Sequence, residues 1–372
     1  MSLNASKPLK YVQIGSRILQ DGNPVRAKLE RLKQPWYNPD VLMIGSSLSR
    51  EAFALTDAFV QHRRAPNIGY ELNSYGKSVY LEDQLQKLTG KKHTTLDFSV
   101  GGCMASDAYF LLKKAVEERP QIRLLILPVA PRDFVDNFSE KDPEMSAVGM
   151  LLKKKSLATV VSAKSTEKEK IESALSSFWY LFDTRADYQA ILEKLGCQFF
   201  NRAPNIYEAR KSFDPFGVDN LVIFNPPHAR ADQVLPQAIK EEDARKNSIQ
   251  YNPYNPERLQ VQFQYFEKTL KFCRDKGITV VVIDMPLPEI NRREMSMQLS
   301  SDYQSNLQAL CGKYSTRLLR LQNDPDFLDC DFRDSCHVVG SGGKKVIDRL
   351  IDFLAGDRSF GKSLGISSLT KQ

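Results

Sequence analysis

A chain of 372 residues with 42% hydrophobic and 26% charged content has material for a large core, in one domain carrying an insertion or in two. No unbroken apolar run approaches the ~20 residues that span a bilayer, and six cysteines without a C-x-x-C pair, beside only four histidines, argue against a structural zinc site. The net charge of +7 is uneven, with +5 of it in residues 1–33. That basic arm (1–35) lacks interleaved aromatic residues and a strong apolar face, so it reads as a solvated leader; no nucleic acid is expected, and contact with an anionic membrane surface is the alternative.

In chain order, the first informative element is the apolar run 41–44, which its length assigns to a buried strand. It stops at Gly45-Ser46-Ser47, and residues 48–60 look helical. A second strand at 94–100 ends in Gly101-Gly102. A helix at 106–118 follows, with Ala108, Leu111, Leu112, Ala115 and Val116 at helical spacing and Pro120 just past its end. The third strand, 123–129, closes on Ala130-Pro131-Arg132-Asp133. Strand, helix and strand in this order make a βαβ unit, which calls for a parallel sheet.

The same grammar returns late in the chain. A helix at 258–276 is stopped by Gly277, and the β-branched run 278–283 reads as a central strand followed by Asp284. Then come a helix near 301–313, a weaker strand at 317–321 and a closing helix at 341–354, with residues 357–372 as a tail. Residues 138–257 do not alternate in this way. They hold a Lys-rich stretch (153–170), an aromatic run (178–182) and Pro-rich loops, and read as an insertion, a possible lid or substrate region, between the domain halves 36–137 and 258–356. Its aromatic residues Trp179, Tyr180, Phe213, Phe216, Tyr251 and Tyr254 could stack on sugar rings or pack the insertion's own core.

Ser46 and Ser47 sit at the carboxyl end of a strand, where open α/β sheets hold ligands. One of them can be a nucleophile at a tight turn that Gly45 permits; the other reading is a helix N-cap. These coexist, because a helix start also favours an oxyanion. Far along the chain, Asp334 lies three positions before His337, whereas the residues three before His62, His93 and His228 are Phe59, Gly90 and Asn225. Asp334 could fix the imidazole tautomer through Nδ1 and leave Nε2 to take a serine proton. Acyl chemistry also needs oxyanion donors, each worth roughly 3 kcal/mol of barrier. Candidates are the N–H of Ser47, backbone groups of Ser99 and Gly101, and the Arg132 side chain, for which an ion pair with Asp133 is the competing role. The cysteines read as reduced thiols, although Cys330 and Cys336 could pair in an exported protein.

Four spaced blocks resemble those of the SGNH (GDSL-type) hydrolase superfamily. Its strand followed by Gly-Asp-Ser is matched by Ile44-Gly45-Ser46-Ser47, its Asn-x-Gly-x-x-Gly falls on 97–102, its Gly-x-Asn-Asp falls on 130–133, and its Asp-x-x-His before a helix is met by Asp334 and His337. Ser46 stands for the family's Asp, Ser99 for a donor glycine and Arg132 for the asparagine donor. The Gly-Ser-Ser form, the long insertion and Met285-Pro286 bring the chain nearer to a bacterial subgroup that resembles D-alanyl-lipoteichoic acid transfer and exopolysaccharide acetylation proteins. The likeness covers roughly 36–137 and 259–356.

The resemblance implies a flavodoxin-like three-layer α/β fold with a central parallel sheet. It also implies a serine-dependent O-acyl ester hydrolase, or else an acyltransferase, with Ser47 as nucleophile, His337 as base and Asp334 as orienting acid. The expected partner is an acyl ester or an acylated saccharide, with no cofactor and no metal. The rival readings are a non-catalytic binding or assembly protein on the same fold and, last, a nucleotide site at Gly45-Ser46-Ser47, which lacks both G-x-G-x-x-G and a P-loop lysine. With no leader sequence the chain reads as cytoplasmic; the cell envelope applies if Met1-Ser2-Leu3 stands in place of a removed signal.

Overall fold

The computed structural model describes residues 13–14, 17–18, 24–34, 36–66, 72, 75–139, 142–152, 230–357 and 360. Lys28–Leu152 and His228–Gln372 form one compact unit, and Met1–Ala27 with Lys153–Pro227 form another. The described part of the second is an antiparallel pair, Gln13–Ile14 with Arg17–Ile18, and the first residues of a helix.

The larger unit is built on a five-stranded sheet of β1 (Val41–Met43), β2 (Thr95–Asp97), β3 (Leu124–Val129), β4 (Thr279–Asp284) and β5 (Arg317–Arg320). Every neighbouring pair is parallel, and the order is β2-β1-β3-β4-β5. This is the flavodoxin-type order, whose direction of growth reverses between β1 and β3 and opens a crevice beyond their carboxyl ends. β3 and β4 read as unbroken apolar runs because helices cover both of their faces. β5, Arg-Leu-Leu-Arg, is less buried and carries charge at both ends, as suits an edge.

The helices that matter here are α1 (Pro24–Leu32), α2 (Ser47–Val60), α3 (Val79–Thr89), α4 (Ala105–Glu118), α5 (Arg132–Val135), α6 (Gln237–Asn247), α7 (Pro256–Lys276), α8 (Met297–Lys313) and α9 (Gly340–Gly356). On one face of the sheet Val41, Met43, Ile126, Val281 and Ile283 pack with Phe53 of α2, Leu81 and Leu85 of α3, and Val346, Ile347 and Leu350 of α9. On the other, Leu127 and Val129 share a small apolar cavity with Ala105, Ala108 and Phe266 of α4 and α7. There Phe134 stacks on Phe263 at 4.2 Å between centroids and meets Tyr303 of α8 edge-on. The result is three layers. Helix α2 approaches α9 closely because Gly340 and Gly343 carry no side chain: a Cβ at Gly340 would press on Leu55 O and Phe59, and one at Gly343 on Ala52 O and Thr56.

Three expectations are corrected. The basic arm is not simply a solvated leader, since Lys28 of α1 is 2% exposed. Its ammonium donates to Asp97 Oδ2 at 3.1 Å and to the Ser99 carbonyl at 2.6 Å, at the carboxyl end of β2. Burial pushes the Lys28 pKa down to about 8, with Asp97 opposing. Second, the bounds 138 and 257 are too wide for an insertion. Residues 142–152 and 230–257 belong to the sheet-bearing unit, where Gly340 N–H donates to Ala231 O (2.7 Å) and Leu235 N–H to Arg333 O (2.9 Å). Third, Tyr251 is buried with its hydroxyl on Asn291 Oδ1 at 3.0 Å, so it offers no face to a sugar.

Helices α3 and α6 were not expected. Residues 153–170, Trp179, Tyr180, Phe213, Phe216 and the Pro-rich loop at 225–228 lie outside the described residues. Among those described, no helix is long and apolar enough to cross a membrane, and Cys103, Cys273, Cys311, Cys330 and Cys336 are unpaired.

The α2–α9 contact generates a test. Gly343→Ala should cost about 1–3 kcal/mol, the usual penalty for overpacking a core, read as a lower urea midpoint. Gly356→Ala, where nothing lies within 4 Å of the added methyl, should leave the midpoint unchanged or higher.

Candidate active site

The turn after β1 is tight for a steric reason. A Cβ at Gly45 would lie 2.7 Å from Ser49 Cβ and 2.9 Å from Pro128 O, so glycine is needed for close approach; its backbone is not in the left-handed region. Ser46 then takes the extended N-cap position of α2, with its side chain 1% exposed and making no capping bond. Ser47 is the first helical residue and is half-buried. Of the two serines, Ser47 is the one open to the crevice, and it sits where the helix dipole favours negative charge.

His337 lies in the loop between β5 and α9. Arg333 N–H closes that loop on His337 O at 2.7 Å. Asp334 Oδ1 accepts the backbone N–H of Cys336 (3.0 Å) and of His337 (2.7 Å), which locks the carboxylate beside the ring. Its two oxygens stand 3.0 and 2.9 Å from His337 Nδ1. The other ring nitrogen, Nε2, is 2.9 Å from Ser47 Oγ, across 290 residues of sequence. Acid, imidazole and hydroxyl thus form one unbroken chain of hydrogen bonds, in the arrangement that serine nucleophiles use.

Arg132, half-buried at the start of α5 beyond β3, donates from Nη2 to Ser47 Oγ at 3.0 Å. It does not serve as the partner of Asp133. That carboxylate accepts Ala130 N–H at 3.0 Å and braces its own turn, and burial lifts its pKa to about 6 against the pull of Arg132. Ser99 corrects an expectation: its N–H is already given to Asp97 Oδ1 at 3.0 Å, its carbonyl accepts from Lys28, and its hydroxyl meets Ser49 Oγ at 3.0 Å. A donor spent on a buried carboxylate cannot turn to an oxyanion, so Ser99 is a bracing residue. Gly101 stays in the picture, since it is exposed and a Cβ there would lie 3.6 Å from Arg50 of α2.

Sequence reasoning passed over the charges around the ring. Glu51, 3% exposed and one helical turn after Ser47, places Oε1 3.7 Å from His337 Nε2 and Oε2 2.6 Å from Arg333 Nη2. The same guanidinium holds Asp334 Oδ2 at 3.1 Å. The i,i+4 spacing from Ser47 to Glu51 was readable as one helix face; the bridge to Arg333 was not, being wholly tertiary.

Burial opposes charge on Asp334, yet His337 and Arg333 hold its pKa well below the usual carboxylate range. Burial likewise disfavours a charged ring at His337, but the carboxylates of Asp334 and Glu51 outweigh it and raise that pKa well above the ordinary histidine value. Asp334, Cys336 and His337 offer three metal-ligand atoms within 4.8 Å of one another. Arg333 already meets the carboxylate charge and Asp334 already holds Nδ1, so a cation would have to displace both.

His93 forms a similar chain: Nδ1 lies 2.8 Å from Asp40 Oδ2 and Nε2 lies 2.8 Å from Thr89 Oγ1. A carboxylate partner is therefore not peculiar to His337. The His93 set lies at the amino ends of β1 and β2, with His93 and Thr89 each 5% exposed, and the threonine hydroxyl is committed to Leu85 O at 2.7 Å. It clasps the end of α3 to the sheet. Sheet polarity and access, more than spacing, separate the two sets.

No family model matches the chain, and no curated protein is significantly similar to it.

A fluorophosphonate probe tests the geometry directly. Intact-protein and peptide mass spectrometry should find a single adduct on Ser47, none on Ser46 or Ser49, and none at all in His337→Ala. An adduct that persists in His337→Ala would show that the hydrogen-bonded chain does not activate the hydroxyl.

Proposed function

We propose that the protein is a serine-dependent O-acyl ester hydrolase or acyltransferase acting through an acyl-serine intermediate. The observation that carries this reading is the 2.9 Å approach of His337 Nε2 to a half-buried Ser47 Oγ, with Asp334 on the far side of the ring. In the attack, Ser47 Oγ bonds to the ester carbonyl carbon while its proton passes to Nε2. The imidazolium so formed faces Asp334, which stabilises it without taking the proton. The carbonyl electron pair moves to oxygen, for which the Ser47 N–H, the exposed turn at Gly101 and the Arg132 guanidinium are the available donors. Collapse expels the alcohol, which takes the proton from Nε2. Water, or a sugar hydroxyl in the transferase version, then repeats the sequence on the acyl-serine.

A small recess of about 10 Å³, lined by Leu48, Arg132, Tyr251, Asn291 and Cys336 among others, adjoins the nucleophile and has room for about one water. An acylated saccharide or cell-envelope polymer as substrate is supported by the resemblance to the SGNH hydrolases, and such a substrate would place the protein at the envelope.

Turnover of a small acetyl ester is the test. Ser47→Ala should abolish it and Ser46→Ala should keep most of it; equal rates in wild type and Ser47→Ala would leave the non-catalytic binding protein as the better reading. Arg132→Ala should lower kcat by about 10²–10³, the usual cost of one oxyanion donor, while Ser99→Ala should stay within about twofold of wild type.

The pH dependence has a definite sign. The attack needs the neutral ring, and the surrounding carboxylates favour the charged one, so kcat/KM should rise with pH through a midpoint above the ordinary histidine value of about 6.5. A profile already flat above pH 6 would contradict this.

A further inference from the structure

In the serine–histidine–acid pattern a carboxylate faces Nδ1, and Nε2 is left to the reacting groups. Here both ring nitrogens face carboxylates. Asp334 holds Nδ1, and Glu51 Oε1 stands 3.7 Å from Nε2, on the side that receives the serine proton. We propose that Glu51 is a positioning residue for this chemistry: a second fixed carboxylate, on the Nε2 side of His337, that steadies the imidazolium formed when Ser47 surrenders its proton. The catalytic consequence rests on the acyl-transfer reading, whereas the placement of charge does not.

Three observations fix the carboxylate there. Glu51 is one turn beyond Ser47 on α2, so the element that delivers the nucleophile also delivers the acid. It is almost fully buried, where a lone carboxylate would be too costly to keep ionised. It is kept ionised by cations on both sides, with Arg333 Nη2 2.6 Å from Oε2 and Arg50 Nη2 3.8 Å from Oε1. Burial alone would raise its pKa, but Arg333, His337 and Arg50 outweigh burial and lower it. Arg333 grips one oxygen of each acid, so Glu51, Asp334 and the ring are set as one unit.

The remaining groups around the ring do not supply this charge. From its own loop come Asp334, Arg333 and the Cys336 thiol, whose Sγ is 3.3 Å from Nδ1 and which burial keeps protonated. From α2 come Ser47, Arg50 and Glu51, and from α5 comes Arg132, a cation whose Nη2 donates to Ser47 Oγ and whose other N–H groups are left for the oxyanion. Helix α6 presents Asp243, but to the hydroxyl and N–H of Ser335. On the Nε2 side Glu51 supplies the negative charge. It also lies near the developing oxyanion, which it would repel; Arg50 and Arg333 offset that repulsion, and Arg132 meets the oxyanion itself.

The test is a titration that does not depend on turnover. The Cε1–H resonance of His337, assigned against His337→Gln, should titrate in the wild-type protein with a midpoint above about 6.5. Glu51→Gln should lower that midpoint by about one pH unit, a tenfold loss of proton affinity, and Glu51→Asp should restore at least part of it. The acid limb of kcat/KM should move to lower pH by the same amount. A folded Glu51→Gln whose midpoint matches wild type within about 0.2 unit overturns the proposal. Should Glu51→Gln not fold, a wild-type midpoint at or below the ordinary value overturns it instead. A wild-type protein with the raised midpoint and the Glu51→Gln shift but no esterase turnover would remove the acyl-transfer reading and leave the assignment of Glu51 standing.

Discussion

The contact between α2 and α9 is what the candidate site depends on. Ser47 opens one of these helices and His337 lies three residues before the other, so the two groups meet only if the helices do. Gly340 and Gly343 let the backbones approach to a distance that any side chain would forbid, with Leu55 O and Ala52 O occupying the space. Val346, Ile347 and Leu350 then bury against the sheet beside Phe53 and seal the pair. A separation of 2.9 Å between two atoms 290 residues apart is therefore a packing result, held by a core that the reacting groups do not themselves contribute to.

Around that contact, charges alternate in sign. Glu51, Arg333 and Asp334 form one run of contacts, anion to cation to anion, that ends at the ring, while Arg132 meets the hydroxyl. Isolated, any of these buried groups would be expected to lose its charge or to destabilise the fold. Together they keep the carboxylates ionised and bias the imidazole toward its protonated form. Behind them the ammonium of Lys28 ties α1 to the end of β2 and to the loop carrying Gly101, so the floor of the crevice is braced from a part of the chain that looked detachable.

The strands, their parallel arrangement and most of the helices were legible because apolar runs and turn residues report burial directly. Even so, 94–100 shortened to Thr95–Asp97: Phe98 and Val100 N–H still reach Met43 O and Gly45 O, but Ser99 turns its N–H to Asp97 Oδ1 and its carbonyl to Lys28. The helix at 79–89 escaped notice although Ser78 caps it (3.4 Å to Leu81 N–H) and Gly90 ends it at φ 70°; Leu81, Leu85 and Leu88 alone made too weak a stripe. In the site, Ser47, Asp334, His337 and Arg132 could be picked out from local order. The role assigned to Ser99 could not survive contact with Asp97, because one backbone N–H serves one strong acceptor. Glu51 and Arg333 carry no motif at all. Their meaning lies in which charges the fold brings within 4 Å, and a single sequence does not state that.

The opposed ends of the sheet carry look-alike trios, one with its hydroxyl buried and one with its hydroxyl open to the crevice, and in the second the hydroxyl reaches the ring only through contacts between distant parts of the chain. It follows that this hydroxyl is a stringent reporter of native topology. A chain in which α9 failed to dock could keep its strands, its other helices and the inert trio around His93, and still be silent toward an electrophile, so loss of reactivity would register that misfolding before spectroscopic helix content did.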